Sequence, residues 1–258
     1  MKLTIARDSM NSFNPKILRY ESVPSTNSEL ARLAAEGAAE GTSIVAEEQT
    51  AGRGRLQRTW VSPKGAGLYF SCLLRPKIPQ EQWPIISFMA AVAVNDALLE
   101  SSELQTDIKW PNDLLADERK ICGILAEVTE SQHGRAVILG IGINLRREAF
   151  PEELVDVATS VSDATGRRVD GEQILDALVQ SLKRWYLLLH EPDGPKRILA
   201  TWESRSSFAE GKRVKVVNGE ETIVGVTRGL ELDGALRVES ESGLVTSIRA
   251  GDVSLRAT

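Results

Sequence analysis

From residue 17 to about residue 206, short apolar runs with strand character alternate with longer stretches of helical spacing. ILRYES (17–22) and GTSIVAEE (41–48) read as strands. Between them Thr26 and Glu29 match a T-x-x-E capping box, Leu30, Leu33 and Ala34 form a helical stripe, and Gly37 is the stop. GLYFSCLLRP (67–76) puts Leu68, Phe70, Cys72 and Leu74 on one face, the pattern of a half-buried strand. PIISFMAAVAVNDALLE (84–100) reads as a largely apolar helix, and DIKW (107–110), ICGILAEV (121–128) and AVILGIGI (136–143) as further strands. Residues 170–190 predict a helix with Ile174, Ala177, Leu178, Leu182, Trp185 and Leu189 on one face, and a shorter helix covers 195–205.

After about Ser207 the texture changes. KRVKVV, TIVGVT, ALRVES, LVTSIR and DVSLR are short β-rich runs separated by NGEE, DG and SG turns. They predict a small all-β barrel of about 50 residues, too small to be very stable alone and so expected to lean on the larger part. The expected division is residues 1–206 and 207–258.

Composition narrows the chemistry. A net charge of −5 argues against a chain built to coat nucleic acid, although a local basic patch stays open. Cys72 and Cys122 form no C-x-x-C pair and read as buried apolar residues, which suits a reducing cytoplasm. No apolar run approaches a membrane span, and the N-terminal MKLTIARDSMNSFNPK lacks the apolar stretch of a secretory signal. His133 lies in a turn-like SQHG and His190 near a helix end, so imidazole catalysis has little support.

Four segments carry candidate chemistry. Gly52-Arg53-Gly54-Arg55 lies in a long loop rich in glycine and arginine. Its glycines permit close backbone approach, and its guanidinium forks suit carboxylate and phosphate. Lys109-Trp110-Pro111-Asn112-Asp113 ends a strand with a rigid turn and two polar side chains. Lys120 enters an apolar strand as a point charge, and Gly123 removes a side chain three residues later. Gly140-x-Gly142-x-Asn144 clears one face of a strand for a flat ligand or for tight packing. Singly, each has a plain structural explanation: a solvated basic loop, an Asx turn, a surface lysine beside a bulge, close packing.

Together, and in this order, the segments resemble biotin–protein ligases. Ser25-Thr26-Asn27, Gln49-Thr50-Ala51-Gly52-Arg53-Gly54-Arg55, Lys109-Trp110-Pro111-Asn112-Asp113, Lys120-x-x-Gly123-Ile124-Leu125 and Gly140-x-Gly142-x-Asn144 all match that family's pattern. One position departs: the family commonly continues the arginine loop as G-R-G-R-x-G-R-x-W, and here Gln57 stands at the later glycine while Arg58 and Trp60 remain.

The resemblance implies an α/β (α+β) fold, with a mixed sheet flanked by helices as in class II synthetases and an SH3-like C-terminal barrel. It implies an enzyme that makes biotinyl-5′-AMP from biotin and ATP, with Mg2+, and transfers biotin to a lysine of a biotin carboxyl carrier protein. Arg55, Lys120 and Asp113 would be catalytic, Asp113 by orienting or deprotonating the incoming lysine. Ser25, Thr26, Asn27, Gln49, Gly52, Arg53, Lys120, Gly123, Gly140 and Gly142 would bind biotin. Arg53, Arg55, Arg58, Trp60, Asn112, Lys120 and Asn144 would bind ATP and the adenylate. No metal ligand is named. Because the pattern starts near residue 17, the expected form lacks an N-terminal DNA-binding domain and, with its acidic balance, does not use DNA; cysteine usage and the apolar pattern add the expectation of a cytoplasmic enzyme without a membrane partner, and a homodimer stays open. The rival readings are a lipoate or octanoate ligase, a non-catalytic biotin-sensing DNA regulator, and an RNA-binding protein.

Overall fold

The computed structural model describes residues 15–146, 150–218, 221–249 and 251–255. Strands β1 (Lys16–Val23), β2 (Thr42–Gln49), β3 (Gly67–Leu74), β4 (Asp107–Lys109), β5 (Asp113–Ala116), β6 (Arg119–Ser131) and β7 (Gly134–Asn144) form one sheet in the order β1-β2-β3-β7-β6-β5-β4. The β1–β2 pair is parallel and the other pairs are antiparallel. A parallel pair needs a crossover, and helix α1 (Thr26–Ala35) supplies it.

The expected Thr26–Glu29 capping box does not form, because the helix starts one residue earlier. Ser25 is the N-cap and accepts from Ser28 N, while Glu29 pairs with Arg32 at 2.7 Å. Thr26, now inside the first turn, keeps its hydroxyl for other partners.

Strand β3 is not half-buried. It is buried from Leu68 to Leu74 because both faces are covered. Leu68, Phe70, Cys72 and Leu74 join the core that contains helix α2 (Ile85–Ser102), and Leu73 joins Leu30 and Ala34 of α1. Helix α2 is apolar over most of its length, Asn95, Asp96 and Glu100 apart, and lies between the sheet and helices α4 (Gly171–Leu189) and α5 (Gly194–Ser204). Contrary to the expectation that no apolar run approaches a membrane span, it is long and apolar enough by composition to cross one, but most of it is buried in this core. On α4 the stripe is rotated from the expected one: Leu175 and Tyr186 are buried, and Ala177 and Trp185 only half-buried. Helix α3 (Val161–Thr165) and strand β5 were not anticipated.

Strands β8 (Glu210–Asn218), β9 (Glu221–Leu230), β10 (Leu236–Glu239), β11 (Val245–Ile248) and β12 (Asp252–Leu255) form a second, antiparallel sheet in the order β11-β10-β9-β8-β12. Its Val214, Val216, Leu236, Val238 and Val253 merge with the main core, so the small unit leans on the larger one as expected. One link reaches the strand-end motif directly: Trp110, buried, donates from Nε1 to Gly234 O at 3.0 Å.

Candidate functional site

A cavity of about 140 Å³ lies where the start of α1, the end of β2 and the β6–β7 pair meet. It gathers most of the residues singled out in the sequence: Thr26, Asn27, Gln49, Arg53, Arg55, Arg58, Trp60, Asn112, Asp113, Lys120, Gly123, Gly140 and Gly142 all line it. Ser25, Gly52 and Asn144 do not. Ser25 caps α1. Gly52 lets the two arms of the loop touch, since a Cβ there would lie 2.3 Å from Trp60 O. Asn144 is buried, and its Nδ2 donates to Thr159 O at 3.0 Å and Lys120 O at 3.4 Å, stapling β6 and β7 to the segment before α3.

The floor is a polar chain. Gln49 Oε1 accepts from Thr26 N at 2.9 Å and from Thr26 Oγ1 at 3.1 Å, while its Nε2 donates to Ser62 Oγ at 2.8 Å. Ser71, fully buried on β3, stands 2.6 Å from Asn27 Oδ1 and 2.7 Å from Thr26 Oγ1. A buried polar network of this kind persists because its members satisfy one another.

The glycines are not simply an empty wall. A Cβ on Gly140 would sit 2.3 Å from Asn27 Oδ1, and one on Gly142 2.6 Å from the Trp60 ring. The clearing at Gly140 therefore admits Asn27, and the one at Gly142 admits Trp60. The Trp60 Nε1 is buried with no partner among the described residues.

The cations stand on one side. The arginine loop forms a small hairpin through the Arg53–Thr59 bridge and Gly54 N donating to Arg58 O at 2.7 Å. At its tip Leu56 and Gln57 have φ of 52° and 62°. Arg53 Nη2 donates to Glu127 Oε2 at 2.7 Å, and Arg55 Nη1 to Asn112 Oδ1 at 3.2 Å. Asn112 Nδ2 in turn donates to Ile124 O at 2.6 Å, fixing the amide that receives Arg55. Lys120 Nζ lies 2.6 Å from Asp113 Oδ1, as an ion pair off the hydrogen-bond axis, and 5.3 Å from the Trp60 ring centroid. Several fixed cations around one small cavity can stabilise phosphate charge.

Neither cysteine competes as a nucleophile: burial pushes the Cys72 thiol up to about 12, and that of Cys122 upward too. Among the described residues no group of three His, Cys, Asp or Glu side chains could hold a metal. Sequence reasoning missed Ser62, Ser71 and Glu127. The two serines carried no local signal, but Glu127 is a carboxylate at the end of an apolar run, alternating with Gly123 and Leu125 on β6.

Residues 20–144 match the biotin/lipoate A/B protein ligase family, and residues 211–256 match the biotin protein ligase C-terminal domain. A bifunctional ligase/repressor BirA of Bacillus subtilis is 37% identical over 245 residues, 93% of this chain and 74% of that protein. A biotin–[acetyl-CoA-carboxylase] ligase of Mycobacterium tuberculosis is 34% identical over 235 residues, 89% of this chain and 85% of that protein. Among solved structures, a biotin protein ligase from Aquifex aeolicus in complex with biotin and ATP superposes with a TM-score of 0.82 at 32% identity, covering 94% of this chain and 99% of that one. Matched in both parts of its length, the chain belongs to the biotin/lipoate A/B protein ligase family and carries the biotin protein ligase C-terminal domain.

Proposed function

We propose that the protein is an ATP-dependent biotin–protein ligase acting on a biotin carboxyl carrier protein. The observation that carries this reading is the convergence of Arg53, Arg55 and Lys120 on one cavity whose wall is the Gly123–Gly142 patch. In the first step a biotin carboxylate oxygen attacks the α-phosphorus of ATP, the bond to the β-phosphate oxygen breaks, and biotinyl-5′-AMP and pyrophosphate result. In the second, a carrier lysine amine attacks the acyl carbon, loses a proton, and AMP leaves.

Both steps concentrate negative charge, so fixed cations are the main requirement. Lys120 and Arg55 meet it at the phosphate, with Arg53 and Arg58 beside them. Thr26, Asn27 and Gln49 hold the biotin ring, Ser25 keeps α1 in register, and Gly52 shapes the loop. Trp60 covers the adenylate against water, and Asn112 and Asn144 brace the nucleotide side. Asp113 orients the incoming lysine. Mg2+ is ordinarily held by one or two carboxylates together with substrate phosphates; Asp113, the acidic residue in the cavity lining, already pairs with Lys120, so a metal entering with the nucleotide would be held mainly by its phosphates. Bound there, it would offset phosphate charge.

The functional division is at residues 206 and 207, with the C-terminal unit bracing Trp110. We further propose a cytoplasmic enzyme that works without DNA or membrane; a homodimer is compatible with this reading. The test is biotin-dependent exchange of pyrophosphate into ATP, followed by mass gain on a carrier domain. Exchange with lipoate but not biotin would overturn the substrate.

A further inference from the structure

Glu127 has no role in the reading above, yet it joins three parts of the site at one atom. Its Oε2 accepts from Arg53 Nη2 at 2.7 Å and from Asn27 Nδ2 at 2.8 Å. Arg53 comes from the arginine loop, Asn27 from the first turn of α1, and Glu127 from β6, where it follows Gly123 and Leu125 at alternate positions. Asn27 carries the connection inward, since its Oδ1 lies 2.6 Å from Ser71 Oγ and fills the space over Gly140. The line therefore runs from the cationic hairpin to the buried floor that holds Thr26.

The pair is a weak stability device. Arg53 and Glu127 side chains are 46% and 33% exposed, and ion pairs so open to water add little to folding. What the contact does is directional. A carboxylate is an acceptor only, so one oxygen can receive two donors without presenting a competing proton. With one terminal nitrogen of Arg53 committed to Glu127, the other meets an anion from a set direction. The same oxygen turns the Asn27 amide so that Oδ1 faces Ser71.

We infer that Glu127 is a positioning residue. It holds Arg53 and Asn27 in their ligand-receiving arrangement before either substrate arrives, so less ordering is left to the binding step. This rests on the reading of the cavity as the biotin and ATP site.

The test compares Glu127→Ala and Glu127→Gln, each alone and with Arg53→Ala. In the ligand-free protein, amide hydrogen exchange across residues 50–60 should quicken by up to about fivefold in Glu127→Ala, the factor that corresponds to roughly 1 kcal/mol for a solvent-exposed ion pair, with the melting temperature nearly unchanged. In pyrophosphate exchange the biotin KM should rise by a similar factor while kcat stays within about threefold, as expected when a group preorganises binding rather than acting on the transition state. Glu127→Gln, which keeps an acceptor but no charge, should recover part of the loss. In the Arg53→Ala background the Glu127→Ala effect should shrink well below its size in the parent. Loop exchange as slow as wild type, or losses that multiply fully, would overturn the role. A wild-type protein with no biotin-dependent exchange would instead overturn the assigned reaction, and the ligand-free exchange comparison would still decide Glu127.

Discussion

Gly123 and Gly142 stand directly opposite each other in the β6–β7 ladder, and the indole of Trp60 lies across both. The ring occupies space that the glycines clear. The remaining cavity is about 140 Å³, below the roughly 300–1,000 Å³ of ordinary ligand pockets. The indole Nε1 makes no hydrogen bond to the described residues, so a ligand that displaces the ring breaks none there. Biotin should therefore move Trp60 and change the indole emission. Trp60→Phe should remove most of that change although other tryptophans remain. Emission unaffected by saturating biotin would refute the displacement.

Gly142→Ala tests the same contact from the other side. Its Cβ would meet the Trp60 ring at 2.6 Å, and overpacking of this kind costs about 1–3 kcal/mol. Thermal unfolding should show the loss, and adding Trp60→Ala should recover it. A stable single variant would mean that the ring relocates freely.

The apolar runs made most strands and long helices legible, because burial dictates those residues directly. Strand β5 was hidden for a local reason. Its hairpin to β6 turns at Asp117 and Glu118, with φ of 49° and 62°, where glycine or asparagine would have advertised the turn. The half-burial expected of β3 failed because the polar-looking Ser71 face is covered by α1. The motif residues were legible as a set, but their pairings were not. Nothing near Gly140 in sequence says that Asn27 fills its space, and nothing near Arg53 points to Glu127.

Gln57 was legible as a departure, and the structure gives it a physical meaning. It adopts φ of 62°, a left-handed conformation that costs a non-glycine residue roughly 1–2 kcal/mol. Gln57→Gly should relieve that cost, partly offset by the greater freedom of glycine in the open loop. A net gain of about 1 kcal/mol in loop closure should appear as slower amide exchange at residues 54–59 and slower release of the adenylate. Faster release would show that the loop is not limited by this residue.

Lys120 combines two duties that one substitution would confuse. Its ammonium pairs with Asp113, whose side chain is only 21% exposed, so Lys120→Ala leaves a mostly buried carboxylate without its counter-charge. That should cost on the order of 1–2 kcal/mol, less than a fully buried pair because Lys120 partly meets water. Loss of phosphate stabilisation should add about 3–4 kcal/mol to the activation barrier. Asp113→Asn in the Lys120→Ala background should restore the melting temperature but not pyrophosphate exchange. Exchange near the wild-type rate in Lys120→Ala would remove the lysine from the chemistry.

Arg55→Gly should separate the two half-reactions. Arg55 reaches out of the hairpin to Asn112 Oδ1 at 3.2 Å and to Gly251 O at 3.5 Å, so it closes the loop onto both the strand-end motif and the C-terminal unit. Biotinyl-AMP keeps its phosphate charge after pyrophosphate has left, and a guanidinium there can hold that charge and the closed loop together. The substitution deletes the cation and adds backbone freedom next to the hairpin tip. A charged hydrogen bond is worth about 1.5–3 kcal/mol, so retention of the intermediate should weaken roughly ten- to a hundredfold. On the proposed assignment Lys120 would still face the phosphate, so activation should continue and the adenylate should escape to acylate exposed lysines of bystander proteins. Incubating the variant with ATP, Mg2+, biotin and albumin, then blotting for biotin, reads that escape. Unlabelled albumin with tight retention of the adenylate would show that the loop closes without Arg55, through the Arg53–Glu127 side of the hairpin alone.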